Sequence, residues 1–200
     1  MRSKVFCIGF QKTGTSSVGA ALSILGYRVH NGFRFNQPGK VEIASPVTLT
    51  KFADIALPLV PHYSAFQDNP WCLLFRELDE AFPGSQFILT RRARRDWHES
   101  LFRHFHETDS AMFQFIYGCE TAASAPPEHF LARYDAHNQA VLTHFRERPN
   151  DLLVLDLETA DWDPLCAFLG RRKPILRRYP HRNSAPRRER RQGRKIRFGL

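Results

Sequence analysis

Long hydrophobic runs are missing from this 200-residue chain. No stretch approaches the roughly 18 apolar residues that a membrane-spanning helix needs. The apolar run after Lys4 is broken by Gly9, Gln11 and Lys12, too early for the core of a secretory signal. Cysteine is scarce: Cys7, Cys72, Cys119 and Cys166 are the full set, and none forms a C-x-x-C pair. Their neighbours are mostly apolar, so buried reduced thiols are expected rather than disulfides or a zinc site. His98 and Glu99 do not complete an H-E-x-x-H motif, and His104 and His106 are two apart, a spacing that shares no helix face. No metal site is expected, and a cytoplasmic location is.

Acidic residues are nearly absent from the C-terminal end. From Arg171 to Leu200 there are 13 Lys or Arg and one acid, Glu189. The first 170 residues hold 16 basic and 19 acidic residues, so the net charge of +9 comes from the end alone. A single domain over residues 1–183 is expected, followed by a basic, solvated and poorly ordered tail over 184–200. Such a tail suits an anionic surface, whereas no nucleic-acid binding is expected of the core.

What is present is an ordinary globular composition, 42% hydrophobic and 24% charged, with 17 Phe to fill a core. Lys4–Gly9, Gln86–Thr90 and Leu152–Asp156 are short apolar runs that predict buried strands; Tyr27–His30 and Ala65–Asp68 are weaker strand candidates. Helical spacing predicts helices over Thr15–Leu25, Val47 to Pro58, Trp71–Phe82, Arg92–Phe105, Ala111–Tyr117, Glu128–Arg146 and Pro164–Leu169. Asn31–Pro46 and Ala122–Pro127 read as loops. Strands alternating with helices predict an α/β domain, three layers with a mainly parallel central sheet flanked by helices.

The segment Gly9-Phe10-Gln11-Lys12-Thr13-Gly14-Thr15-Ser16 lies between a strand and a helix. Backbone N–H groups and the positive end of a helix converge on an anion in such a loop. Gly14 permits close backbone approach, and Thr15, Ser16 and Ser17 add hydroxyls, which are also expected to cap the helix. The G-x-x-x-x-G spacing is that of a nucleotide triphosphatase, but Thr15 stands where that motif needs lysine. The lysine comes earlier, as Lys12.

Residues Phe10 to Ser17 resemble the 5′-phosphosulfate loop of the sulfotransferases that use 3′-phosphoadenosine 5′-phosphosulfate (PAPS). A second similarity is the strand Phe87–Thr90 followed by an Arg and a Ser eight residues apart, a spacing met by Arg92 and Ser100 rather than by Arg91. Phe66–Trp71, Phe82–Ser85, Leu153–Asp156, Cys166–Gly170 and Tyr179–His181 are similar too, in order, so the resemblance covers roughly residues 4–183. It implies a P-loop-like fold in which Gln11, Lys12, Thr13, Gly14, Thr15, Ser16 and Ser17 hold the 5′-phosphate. Arg92 and Ser100 then hold the 3′-phosphate.

The resemblance further implies that Lys12 stabilises the leaving group while a sulfuryl group moves to a hydroxyl or amine of a small-molecule or glycan acceptor, with no metal required. Asp68 and His62 are the candidates for the base that takes the acceptor's proton. Phe33, Phe35, Phe113, Phe115 and Tyr117, in the stretches Asn31–Pro46 and Asp109–Pro127, are expected to wall an aromatic acceptor pocket. Two other readings compete. One is a P-loop kinase using Lys12, Ser16 and Asp156 with magnesium; the other is a non-catalytic anion-binding module with a basic tail.

Overall fold

The computed structural model describes residues 3–33, 40–107, 110–175 and 177–182. Phe35, Asp109 and the basic stretch 184–200 lie outside the described residues. Five strands form one sheet: β1 (Val5–Cys7), β2 (Val29–Asn31), β3 (Ala65–Gln67), β4 (Gln86–Arg91) and β5 (Leu152–Asp156). Their order is β2-β3-β1-β4-β5, and every pairing is parallel. All C-terminal strand ends therefore lie along one edge, where ligands of open α/β sheets bind.

Seven α-helices accompany the sheet among the described residues: α1 (Thr15–Ile24), α2 (Leu49–Ala56), α3 (Phe75–Ala81), α4 (Arg94–Phe105), α5 (Ala111–Tyr117), α6 (Pro127–His144) and α7 (Trp162–Leu169). The side chains of each strand alternate between two apolar clusters, as the strand period requires. Phe6, Phe66, Phe87 and Leu89 point to one face, where Phe52, Phe75, Trp97, Phe113 and Phe130 of α2–α6 cover them. Val5, Cys7, Ile88 and Leu155 point to the other, under Val18 and Leu22 of α1 and Trp162 and Leu165 of α7. The result is the three-layer α/β domain that the sequence predicts. The central strand β1 is fully buried, which is why it reads as an unbroken apolar run.

Several boundaries differ from expectation for local reasons. The α3 helix starts at Phe75, because Trp71 and the residues after it form turns that follow Pro70. The α4 helix starts at Arg94, because Arg91 still belongs to β4 and Ala93 is extended. Beyond α2 the chain tightens into a 3-10 segment, Leu57–His62, with prolines at 58 and 61. The four cysteines are free thiols, three buried and Cys119 partly so.

Candidate active site

The turn between β1 and α1 is built around two close approaches. A Cβ at Gly9 would stand 2.1 Å from Thr90 Oγ1 and 2.3 Å from the Thr90 carbonyl, so only glycine lets this strand end lie against β4. Gly14 has φ 98° and forms the N-cap of α1, and a Cβ there would meet Leu157 at 2.6 Å. No side chain caps α1, contrary to the expected hydroxyl cap; the N–H groups of Ser17 and Val18 both turn to the Gly14 carbonyl. Lys12 adopts φ 73°, a left-handed conformation that a non-glycine residue holds only under constraint.

The constraints are visible. The Thr13 hydroxyl donates to the Phe10 carbonyl at 2.5 Å and accepts from the Thr90 hydroxyl at 2.6 Å. The Gln11 amide donates to the Tyr117 hydroxyl at 3.0 Å, and the Gln11 carbonyl accepts from the Trp97 indole at 3.1 Å. The side chains of Gln11 and Thr13 are thus buried fastenings of the turn. Ser17 is buried as well, and its hydroxyl accepts the Arg182 N–H at 2.9 Å. Thr15, also buried, and Ser16, half-buried, open α1, and Lys12 is half-buried in the turn before it.

The other candidate residues lie at and after the end of β4. Arg91 makes a two-pronged ion pair with Asp156 of the neighbouring strand, at 3.0 and 3.1 Å. Arg92 differs: its Nε is buried without a hydrogen-bond partner. Both arginines line a cavity of about 600 Å³ with Arg94, Tyr134 and the carboxylates of Asp135, Asp156 and Glu158. A buried guanidinium N–H that faces no acceptor suits an anion arriving from outside. Ser100 lies two turns along α4 and one turn beyond Trp97, whose indole holds the Gln11 carbonyl. Spacing of three residues makes Ser100 a helical neighbour of Trp97, and it is half-buried. Thr90–Thr13 and Trp97–Gln11 therefore tie the end of β4 and the first turns of α4 to the turn between β1 and α1.

A family model described as a sulfotransferase domain matches residues 4–122 and 101–187. The chain belongs to the sulfotransferase family. It is 26% identical over 214 residues to the "Ava biosynthesis cluster protein M" of Aspergillus versicolor, covering 89% of this chain and 80% of that protein. A sulfotransferase crystal structure from Alicyclobacillus acidocaldarius shares the fold with a TM-score of 0.55 at 19% identity, over 96% of this chain and 91% of that one.

Within this sulfotransferase, the candidate bases part company. Asp68 follows β3 at the C-terminal edge, with φ 74° and its Oδ1 accepting the Asn69 N–H at 2.9 Å. Burial pushes the Cys7 thiol at the end of β1 up to about 12, with a smaller upward contribution from the Asp68 charge. His62 ends the 3-10 segment that leads into the opposite end of β3, and it is exposed. The parallel sheet thus separates His62 from the phosphate turn, because everything entering a strand lies a strand length from everything leaving it.

The expected aromatic wall is corrected as well. Phe113 and Tyr117, four apart on α5, are buried in the core, because the helix turns that face inward. Phe115 packs edge-on against Phe52, and Phe33 lies beside His30 and Trp71. Sequence reading also missed His137. Its ring stacks on Phe10 at 4.0 Å, and its Nε2 donates to the Ile8 carbonyl at 2.8 Å. Burial lowers its pKa to about 4, so it is neutral at pH 7. No group of three or more His, Cys, Asp or Glu gathers as a cation site among the described residues.

Proposed function

We propose that this sulfotransferase uses PAPS as its donor and moves the sulfuryl group in line to a hydroxyl or amine of a small-molecule or glycan acceptor. The observation that carries the reading is the contrast between two adjacent arginines at the end of β4: Arg91 is engaged by Asp156, while the buried Nε of Arg92 meets no protein acceptor.

When bound, PAPS supplies a sulfuryl group activated by its attachment to the 5′-phosphate. The backbone of residues 12–16 and the hydroxyls of Thr15 and Ser16 hold that phosphate at the start of α1. Arg92 and Ser100 grip the 3′-phosphate, the group that distinguishes this donor from ATP. Lys12 neutralises the charge on the leaving oxygen. Asp68 takes the proton that the acceptor loses, and His62 is set aside because of its place on the opposite edge. A cytoplasmic location fits this donor, and no helix among the described residues is long and apolar enough to cross a membrane. A relative named for a biosynthesis cluster favours a small-molecule acceptor.

Thermal shift separates this from the kinase reading, in which Asp156 would hold magnesium; here Asp156 is already bridged by Arg91. 3′-Phosphoadenosine 5′-phosphate (PAP) at 100 times its Kd should stabilise the fold by about 2.7 kcal/mol, with ATP and magnesium far weaker. Preference for ATP with magnesium, or indifference to both, would sink the proposal.

A further inference from the structure

Helix α6 carries five contacts that converge on the end of β4 and on the β1–α1 turn. Tyr134 Oη accepts the Arg92 N–H at 2.9 Å and donates to the Arg92 carbonyl at 2.9 Å. A single hydroxyl thus fixes both backbone groups of the residue that follows β4. The Tyr134 ring stacks on Trp97 at 4.3 Å, with 16° between the planes, and Trp97 holds the Gln11 carbonyl. Three residues on, His137 donates to the Ile8 carbonyl and stacks on Phe10, where the phosphate turn leaves β1. Residues three apart on a helix share a face, so one rigid element touches both ends of the site.

From this we infer that Tyr134 and His137 are positioning residues: α6 is a strut that sets the separation between the Arg92 anchor and the phosphate turn, and thereby selects for a nucleotide phosphorylated at both the 3′ and the 5′ positions. The inference rests on the donor reading given above. Tyr134 holds both backbone groups of Arg92, whose side chain reaches the cavity only if its peptide stays put. Tyr134 therefore governs the 3′ end, and His137 the 5′ end. A purely structural tyrosine would weaken all nucleotides alike.

The test compares the affinities of PAP and adenosine 5′-monophosphate, measured by calorimetry on the full chain. The wild type should prefer PAP. In Tyr134→Phe, which keeps the ring stacked on Trp97, the preference should fall by about tenfold while monophosphate affinity holds, as expected for two lost hydrogen bonds to one peptide. In His137→Leu both ligands should weaken by a similar factor and leave the ratio intact. In His137→Gln, whose amide still offers an N–H, affinity should recover. An unchanged ratio in Tyr134→Phe overturns the strut even where the wild type prefers PAP. A wild type without preference overturns the donor reading and the strut together.

Discussion

Lys12 keeps a left-handed backbone, a conformation that costs a residue with a Cβ roughly 1–2 kcal/mol. Glycine at this position would remove that cost, and alanine would not. Both Lys12→Gly and Lys12→Ala should lose transfer by about a hundredfold or more, as removal of one charge-stabilising donor does elsewhere. The glycine variant should nevertheless be the more stable of the two, by about 1 kcal/mol in urea unfolding. Equal stability would mean that the turn is not strained at Lys12; full activity in either variant would contradict its role. The neighbouring arginines divide in the same way. Arg92→Ala should weaken PAP by at least about tenfold with little change in Tm, as the loss of a charged hydrogen bond predicts. Arg91→Ala removes a partly exposed ion pair and should cost at most about 1 kcal/mol of stability. The reverse pattern in a paired binding and melting experiment would exchange the two assignments.

Among the elements, the strands and most helices were readable because their signals are local. A strand buried on both faces is an apolar run, and an amphipathic helix repeats every three to four residues. The turn between β1 and α1 was readable as a turn because glycine, lysine and hydroxyl residues follow one another within eight positions. The α6 contacts were not, since Tyr134 meets a residue 42 positions away and His137 one 129 positions away. Periodicity marks such side chains only as inward-facing. The aromatic wall failed for the same reason: composition shows rings in a stretch, while the turn of α5 decides that Phe113 and Tyr117 enter the core.

Burial of His137 has a consequence at this scale. The folded chain keeps it neutral down to about pH 4, whereas the unfolded chain protonates it near 6.5. Its contribution is therefore complete above about pH 6.5 and is lost as the pH falls towards 4, on the order of 3 kcal/mol in all. His30, also lowered by burial, acts in the same sense. Asp79, held below its usual 3.8 chiefly by Arg148, loses its contribution at more acidic pH. His137→Gln should flatten the stability profile between pH 6.5 and 4 relative to wild type. An unchanged slope there would show that the imidazole titrates normally.

For the molecule as a whole, charge and fold are nearly independent. The first 170 residues are slightly acidic, and the C-terminal end supplies the basic excess. We expect removal of residues 184–200 to leave the melting temperature and PAP binding unchanged. The same removal should abolish salt-sensitive retention on vesicles containing anionic lipid, an electrostatic effect that weakens within a Debye length of about 8 Å at physiological salt. Retention that survives the removal would move the anionic surface contact to the core.

The hydrogen bond from Arg182 to Ser17 also fixes where the polypeptide goes. The chain enters β1 at one rim of the sheet and, after crossing the molecule, is stitched down at the other, next to the turn between β1 and α1. A fluorophore or carrier joined ahead of Val5 would sit behind the working side, out of traffic. The same cargo joined just after Arg182 would crowd Ser17 and the start of α1, the side where the proposed donor binds.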